Sequence, residues 1–164
     1  MIPIGLGSCL PLYDGEYCLV NSAKFQFEGG HKPSLIHTKK DIVDTGFMYL
    51  HAPYLWGGRT LMGIYCSGLT QMAYRLNGRA IPRDASQQIK LGSTLSFIEE
   101  AEPGDLAFFD DAEGAIVHVG IILENNQILH ASGKVRIDSI DQQGIFNKDL
   151  GEHTHKLRLI KQLF

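Results

Sequence analysis

The spacing of apolar residues changes near Pro103, and this change constrains the fold more than any other feature of the chain. Before Pro103, apolar residues recur at helical intervals, as in Leu69, Met72 and Leu76. After Pro103, short runs of β-forming residues alternate with turn signals. The runs predicted as strands are 105–109, 117–123, 127–132, 135–138 and 156–160. Helices followed by closely connected strands predict an α+β fold with an antiparallel sheet.

Local signals mark three helix starts in the first part of the chain. Thr38 followed by Asp41 predicts an N-cap of the capping-box type. A second helix is expected to begin near Cys66, where the apolar stripe starts. A third, short helix is predicted to start after Asp84 and to stop at Gly92. These starts place several polar residues at helix N-termini.

The 164 residues divide into a short N-terminal β segment, 1–37, and a main domain, 38–164. Residues 17–20 and 24–27 are predicted as short strands, and the segment carries no catalytic pattern. Two or three short strands cannot bury a core alone. The segment is therefore expected to pack on the main domain, or to be the remainder of a small β module.

Composition excludes some function classes. The formal net charge of −3 gives no general attraction to nucleic acid or to an anionic membrane. No apolar run approaches the roughly 18 residues that a membrane-spanning helix needs. Because no export signal is recognisable in the sequence, a cytoplasmic location is the default expectation, and a periplasmic or secreted location stays open.

Cys66 is the first candidate for chemistry because it lies where a helix is expected to begin. Unpaired N–H groups and the positive end of the helix dipole favour the thiolate, which is the nucleophilic form. The N–H group of Cys66 is also a candidate oxyanion donor. The alternative is a buried structural thiol, the usual state of a lone cysteine.

His118 and His130 lie in two apolar runs and suggest a base and its orienting partner. The pattern fits a triad in which His118 pairs with Cys66 while His130 fixes the ring of His118. A two-residue turn would put the rings on opposite sheet faces, because side chains alternate along a strand. We therefore predict a three-residue loop, 124–126, with Asn126 left-handed, or an equivalent bulge. The alternative is a pair of core histidines.

Other polar residues are candidates for the site with weaker support. Tyr54 precedes the Cys66 helix, and its hydroxyl is placed to reach an oxyanion or the substrate; core packing is the alternative, and for Trp56 we favour core packing. Arg83 is a candidate for binding a substrate carboxylate, and Asp84 is a helix cap by default. Ser67 and Ser86 are candidates for substrate hydrogen bonds.

Zinc binding is a rival interpretation. Cys66, His118 and His130 supply three candidate ligands, and His153 and His155 add two more. No paired ligand spacing supports this set, and His153 and His155 are interpreted as part of a solvated loop before the last strand.

Six motifs in order resemble the NlpC/P60 family of cell-wall cysteine peptidases. They are PYLWGG (53–58), GIYCSGL (63–69), PRDASQQ (82–88), PGDLAFF (103–109), HVGI (118–121) and ILHAS (128–132). The resemblance covers about residues 38–164. It is greatest to the branch that cleaves the γ-D-glutamyl to L-diamino acid bond, in which an SH3-like domain often comes first. Residues 1–37 resemble the last strands of such a module.

The resemblance implies a papain-like fold and assigns roles to the candidates. Cys66 falls on the nucleophile of the family, His118 on its base and His130 on its third polar residue. Tyr54 falls on the tyrosine that assists the oxyanion. Substrate contacts fall on Ser67, Arg83 and Asp84.

Tyr65 departs from the family pattern, which usually has Asp directly before the cysteine as an anchor for a free substrate amine. An uncharged phenol does not pair with an ammonium as a carboxylate does. The requirement for a free N-terminal L-Ala is therefore left open, with Tyr65 counted among the substrate-contact candidates.

The leading expectation is a cysteine endopeptidase that acts on peptidoglycan-derived peptides and needs no metal or organic cofactor. An acyltransferase or amidase with the same thioester chemistry is a second hypothesis. A wall-peptide binding module with little or no turnover is a third.

Overall fold

The computed structural model describes residues 1–30 and 38–163. Its helices are α1 (Lys39–Phe47), α2 (Cys66–Arg75) and α3 (Ala85–Gln88), with one 3₁₀ turn (Ile98–Glu100). Its strands are β1 (Tyr17–Val20), β2 (Ala23–Gln26), β3 (Arg59–Thr60), β4 (Gly63–Ile64), β5 (Ser93–Leu95), β6 (Leu106–Asp110), β7 (Ile116–Leu123), β8 (Gln127–Ser132), β9 (Lys134–Ile140), β10 (Gly144–Asn147) and β11 (Glu152–Gln162). Three helices precede the seven-stranded antiparallel sheet, so the predicted α+β class is confirmed.

Six of the strands close into a ring. The main sheet has the order β10-β9-β8-β7-β6-β11-β5, and β10 also pairs with β11. The pairing of β10 with β11 joins the two ends of the six-strand run from β10 to β11. The result is a small antiparallel barrel, and β5 pairs with β11 without being part of the ring.

The ring separates two apolar clusters because side chains alternate along each strand. Phe108, Val119 and Leu129 point outward, where α1 and α2 pack on them. Phe109 and Ile128 point into the ring and belong to the second cluster. By the same alternation, His118 and His130 share the inner face with Phe109 and Ile128.

Close backbone contacts fix the chain on the approach to α2. A Cβ atom on Gly58 would lie 2.3 Å from the carbonyl oxygen of Gly63, and one on Gly68 would lie 2.5 Å from the carbonyl oxygen of Gly58. Only glycine leaves room for these contacts. The Gly-rich motifs on either side of Cys66 therefore pack directly against each other.

Most local predictions for the helices hold. Thr38 caps α1 with a capping box through Asp41, as predicted. The third helix, α3, ends at Gln88 and is therefore shorter than predicted. Gly92 instead has φ +64 and packs against the backbone of Gln162, so it marks the turn into β5.

The N-terminal segment forms the β1–β2 hairpin. Residues before this hairpin contact the main domain, because Leu6 packs on the outer cluster and Arg75 of α2 donates to the sulfur of Cys9 at 3.0 Å. The predicted boundary at residue 37 lies outside the described residues, and so does the end of the proposed module. Within the described ranges, 1–30 and 38–163, none of the helices is long and apolar enough to cross a membrane.

Candidate active site

Cys66 is the first residue of α2, and its sulfur meets three backbone N–H groups. These belong to Cys66 itself, Ser67 and Val119 of β7. The side chain is 5% exposed. Burial raises the pKa of the Cys66 thiol, and the three hydrogen bonds only partly offset this effect. The expectation that the helix N-terminus makes Cys66 a ready thiolate is therefore wrong in its net direction.

The two histidines lie on one face of the β7–β8 hairpin. Leu123 pairs with Gln127, which leaves a three-residue loop, and Asn126 is left-handed with φ 54, as predicted. Nε2 of His118 lies 2.9 Å from Nδ1 of His130, with the two rings perpendicular. The geometric condition for a base and an orienting partner is thus met.

His118 directly precedes a residue whose backbone contacts Cys66. The N–H group of Val119, the next residue, donates to the sulfur of Cys66. Burial, together with the nearby rings of His155 and His130, holds the pKa of His118 well below its ordinary value. The imidazole is therefore neutral at neutral pH, the form that accepts a proton.

Asp138 and Arg136, both on β9, extend the histidine pair. Nε2 of His130 lies 2.9 Å from the carboxylate of Asp138, which is 5% exposed. Arg136 binds the same carboxylate through Nε at 2.7 Å and Nη2 at 2.8 Å. Sequence reasoning missed both residues. The one available signal was their alternation with Val135 and Ile137, which put both polar side chains on one strand face.

His155 is placed wrongly by the sequence interpretation. It lies within β11, not in a solvated loop, and its ring stacks on that of His118 with centroids 4.1 Å apart and a 30° angle. Burial lowers the pKa of His155 to about 4, and the nearby ring of His130 adds to this. His153 also lies within β11, where Nε2 bonds the carboxylate of Asp141 at 2.9 Å.

Tyr54 borders the cleft in front of the histidines. The cleft measures about 230 Å³, and its walls include Tyr54, His118, Gly133 and His155. The N–H group of Tyr54 donates to Gly133, which fixes the loop to the start of β9. Partial burial and the neighbouring Cys66 raise the pKa of the Tyr54 phenol. The hydroxyl therefore stays protonated and is a hydrogen-bond donor.

Tyr65 sits among other side chains instead of reaching freely into the cleft. Its hydroxyl lies 3.2 Å from the carbonyl oxygen of Arg83 and 3.4 Å from a carboxylate oxygen of Asp84. The Arg83 guanidinium lies over its ring at 4.0 Å, and the Trp56 ring is 5.8 Å away. Trp56 is 81% exposed, so its interpretation as a core aromatic is wrong.

Ser67 and Ser86 occupy different environments. Ser67 is buried in the first turn of α2, and its carbonyl accepts from Nε2 of Gln88 at 3.0 Å. Ser86 is exposed on α3. Gln88, which sequence reasoning missed, also bonds Thr70 and the carbonyl of Pro82. It therefore ties α3 to the turn that carries Cys66.

The zinc hypothesis finds no geometric support. Among the residues that the structure describes, no group of three or more His, Cys, Asp or Glu side chains is arranged to hold a metal ion. His118 and His130 bond each other directly, and the second nitrogen of His130 is engaged by Asp138.

Comparison with curated proteins gives relatives that are named as peptidases. The chain is 41% identical over 96 residues to a gamma-D-glutamyl-L-lysine dipeptidyl-peptidase of Bacillus subtilis, which covers 57% of this chain and 32% of that protein. It is 37% identical over 118 residues to dipeptidyl-peptidase 6 of Lysinibacillus sphaericus, over 68% of this chain and 41% of that protein. The chain thus spans well under half the length of these relatives.

Solved structures and a family model agree on the fold. An NlpC/P60 family protein from Bacillus cereus superposes with a TM-score of 0.71 at 23% identity, covering 94% of this chain and 52% of that one. The NlpC/p60 domain of the peptidoglycan hydrolase SagA gives 0.57 at 32% identity, covering 63% and 90%. The model of the NlpC/P60 family matches residues 51–153, a range that contains Tyr54, Cys66, His118 and His130. The chain belongs to the NlpC/P60 family.

Proposed function

We propose that the protein is a cysteine endopeptidase that hydrolyses γ-D-glutamyl–L-diamino acid bonds in peptidoglycan-derived peptides. The observation that carries the proposal is the 2.9 Å contact between Nε2 of His118 and Nδ1 of His130. His118 lies on β7, and the N–H group of the next residue on that strand, Val119, bonds the sulfur of Cys66. A base held by an orienting group, on the strand whose next N–H group bonds a cysteine sulfur, is an arrangement suited to covalent acyl transfer. Family membership supports the same reaction class.

In the first step, the sulfur of Cys66 attacks the glutamyl carbonyl carbon. The thiol proton passes to His118 as the C–S bond forms. Because Nε2 of His118 is held by His130, Nδ1 is the nitrogen left to receive this proton. His118 then gives it to the nitrogen of the diamino acid, the C–N bond breaks, and the amine leaves.

In the second step, a water molecule hydrolyses the thioester. His118 accepts one proton from the water, the water oxygen bonds the carbonyl carbon, and the C–S bond breaks to release the glutamyl carboxylic acid. His118 then returns the proton to the sulfur, which restores the Cys66 thiol. In both steps, negative charge develops on the carbonyl oxygen. The protonated hydroxyl of Tyr54 and the N–H group of Cys66 are the proposed donors to that oxygen.

The peptide class is carried over from relatives and not from the cleft itself. Two of them, from Bacillus subtilis and Bacillus cereus, are named gamma-D-glutamyl-L-lysine dipeptidyl-peptidase. The cleft is bordered on one side by the small residues Ala131, Ser132 and Gly133.

Mass spectrometry of L-Ala-γ-D-Glu-L-Lys and of its diaminopimelate counterpart tests the proposal. We expect wild-type protein to release L-Ala-D-Glu and the free diamino acid. The Cys66→Ala variant should release neither. Products bearing a second amine in place of water would indicate acyl transfer instead of hydrolysis.

Cys9→Ala is the matched control, because Cys9 is an exposed thiol remote from β7 in sequence and bonded to Arg75. This variant should retain wild-type turnover. Equal cleavage by wild type and Cys66→Ala would overturn the proposal.

A further inference from the structure

The carboxylate of Asp138 lies at the inner end of a chain of contacts that begins at the base. His118 contacts His130 at 2.9 Å, and His130 contacts Asp138 at 2.9 Å. All three side chains are at most 5% exposed. They belong to three neighbouring strands, β7, β8 and β9, and all project into the ring.

The chain of contacts determines where the protons lie. Burial alone would raise the pKa of Asp138, but hydrogen bonds from His130 and Arg136 outweigh it and leave the pKa below its ordinary value. An ionised carboxylate only accepts hydrogen bonds. The hydrogen between Asp138 and His130 therefore belongs to Nε2 of His130.

The same reasoning extends to His118. With its Nε2 hydrogen directed at Asp138, His130 offers Nδ1 as the acceptor in the contact between the rings, so the hydrogen there belongs to Nε2 of His118. Nδ1 of a neutral His118 is then bare as well. This is the nitrogen that must accept the proton of Cys66.

Arg136 holds the carboxylate in this role. Its two bonds to Asp138, at 2.7 and 2.8 Å, keep the carboxylate ionised and fixed in orientation. A third contact joins Arg136 to Asp149 at 2.8 Å on the exposed side. His155 on β11 also faces His118, and Cys66 lies on α2 beside β7.

We propose that Asp138 is a positioning residue that sets the tautomer of His118 through His130 and stabilises the imidazolium that forms during attack. The inference rests on the proposed roles of Cys66 and His118. It adds a fourth member to the triad, and Arg136 as the group that fixes it. A buried ion pair that only joins β8 to β9 is the competing explanation.

The first test reads tautomers directly and needs neither a variant nor a substrate. In wild-type protein carrying ¹⁵N-labelled histidine, long-range ¹H–¹⁵N spectra at pH 7 should show both His118 and His130 protonated on Nε2. Protonation of His118 on Nδ1 would overturn the proposal.

The second test follows alkylation of Cys66 by iodoacetamide as a function of pH in wild type and Asp138→Asn. An amide lacks the charge and offers one acceptor atom where the carboxylate offers two. We expect alkylation near pH 7, which depends on proton transfer to His118, to slow by about tenfold. Above the thiol pKa the two rates should converge. Turnover of the peptide should fall on the order of 100-fold, less than the ~10⁴ seen when a carboxylate bonds the base directly.

Asp141→Asn is the matched control, because Asp141 also bonds an imidazole, that of His153, at 2.9 Å but on the exposed surface. Its profile should match wild type. A structural role alone predicts the opposite outcome for Asp138→Asn: a loosened fold would expose Cys66 and speed alkylation at every pH, with a lowered Tm. Superimposable profiles would also overturn the proposal. Because the tautomer and alkylation readouts use no peptide, a failure of the proposed substrate leaves both of them intact.

Discussion

At the residue scale, Cys66 and His118 are both buried, and burial shifts their pKa values in opposite directions. The thiol pKa rises above its ordinary 9.0, and the imidazole pKa falls well below its ordinary 6.5. The resting pair is thus a neutral thiol beside a neutral imidazole, not a thiolate beside an imidazolium. In the proposed mechanism the proton is transferred only as the sulfur attacks, which makes the groups behind His118 important for the rate.

This arrangement predicts the pH dependence of turnover. His118 stays in its basic form until the pH falls well under 6.5, and Cys66 keeps its proton until the pH exceeds 9. We expect kcat/KM for the tripeptide to be flat between these values and to fall on either side. A narrow optimum with both limbs between pH 6 and 8 would contradict the neutral resting pair. The measurement is a pH series of initial rates.

Tyr65 and Asp84 predict how the enzyme treats the N-terminal amine of its substrate. The Tyr65 hydroxyl is shared by Arg83 and Asp84, and the Asp84 side chain is 60% exposed. An exposed ion pair is worth at most about 1 kcal/mol, or roughly fivefold in affinity. N-acetylation of L-Ala-γ-D-Glu-L-Lys should therefore change kcat/KM by less than about fivefold, measured in parallel assays. A loss of 100-fold or more would show that a strong ammonium anchor exists.

The sequence identified the residues whose neighbours along the chain carry a signal. Cys66 stands at a helix start, and the hypothesis that His118 and His130 share one face predicted the three-residue loop 124–126 that the hairpin has. Asp138 and His155 could not be found in this way. Their roles depend on which strands pair, and no local pattern indicates that β9 lies beside β8 or that β11 brings His155 onto His118.

At the scale of elements, the β7–β8 hairpin carries both histidines, and Gly120 leaves space for the His130 side chain next to His118. Gly120 pairs with His130 across the hairpin. A Cβ atom at residue 120 would lie 2.7 Å from Cδ1 of Ile128 and 3.0 Å from Cβ of His130. A glycine at this position therefore lets His130 approach His118.

Gly120→Ala is expected to displace His130 and the inner apolar packing together. Overpacking of this kind costs about 1–3 kcal/mol of unfolding free energy, and we expect kcat/KM to fall at least tenfold because the His118 contact lengthens. Urea unfolding and peptide turnover measure the two effects. Gly30→Ala is the control, since open space surrounds Gly30, and it should change neither quantity. Full activity in Gly120→Ala would contradict this role of the hairpin.

Helix starts and the β1–β2 hairpin were predictable, but four other short strands were not. Thr38 and Asp41 form the expected capping box, since capping depends on residues three apart in sequence. Strands β3, β4, β5 and β10 have two to four residues each, too few to show an alternating pattern. The closure of the ring through β10 and β11 was beyond prediction for the same reason.

At the scale of the whole molecule, the ring has an apolar interior with polar groups on the same inner face of its strands. Ile122, Ile128 and Ile160 fill the apolar part. His118 and His155 lie against Phe109, with ring centroids 5.7 and 6.0 Å away. The site is therefore built into the core of the fold, and its protonation affects the stability of the fold.

His155 predicts a measurable link between stability and pH. Its pKa is about 4 in the folded protein and near 6.5 when unfolded, so below pH 6.5 the unfolded chain binds more protons. The folded state is therefore fully stable with respect to this residue above pH 6.5, and its free energy of unfolding falls as the pH decreases from 6.5 toward 4. After allowance for partial exposure, the contribution of this residue is on the order of 1 kcal/mol per pH unit. In His155→Gln, the free energy of unfolding measured with denaturant should change less steeply with pH between pH 6.5 and 4 than in wild type. An unchanged dependence on pH would contradict the assignment.

The most direct test of the account is rapid acid quenching of the protein with L-Ala-γ-D-Glu-L-Lys, followed by mass spectrometry of its cysteine peptides. We predict an L-Ala-γ-D-Glu adduct, linked as a thioester, on the peptide that contains Cys66 and on neither of those that contain Cys9 or Cys18. Product formation with an adduct on another cysteine, or with no covalent intermediate under conditions that trap thioesters, would contradict Cys66 as the nucleophile.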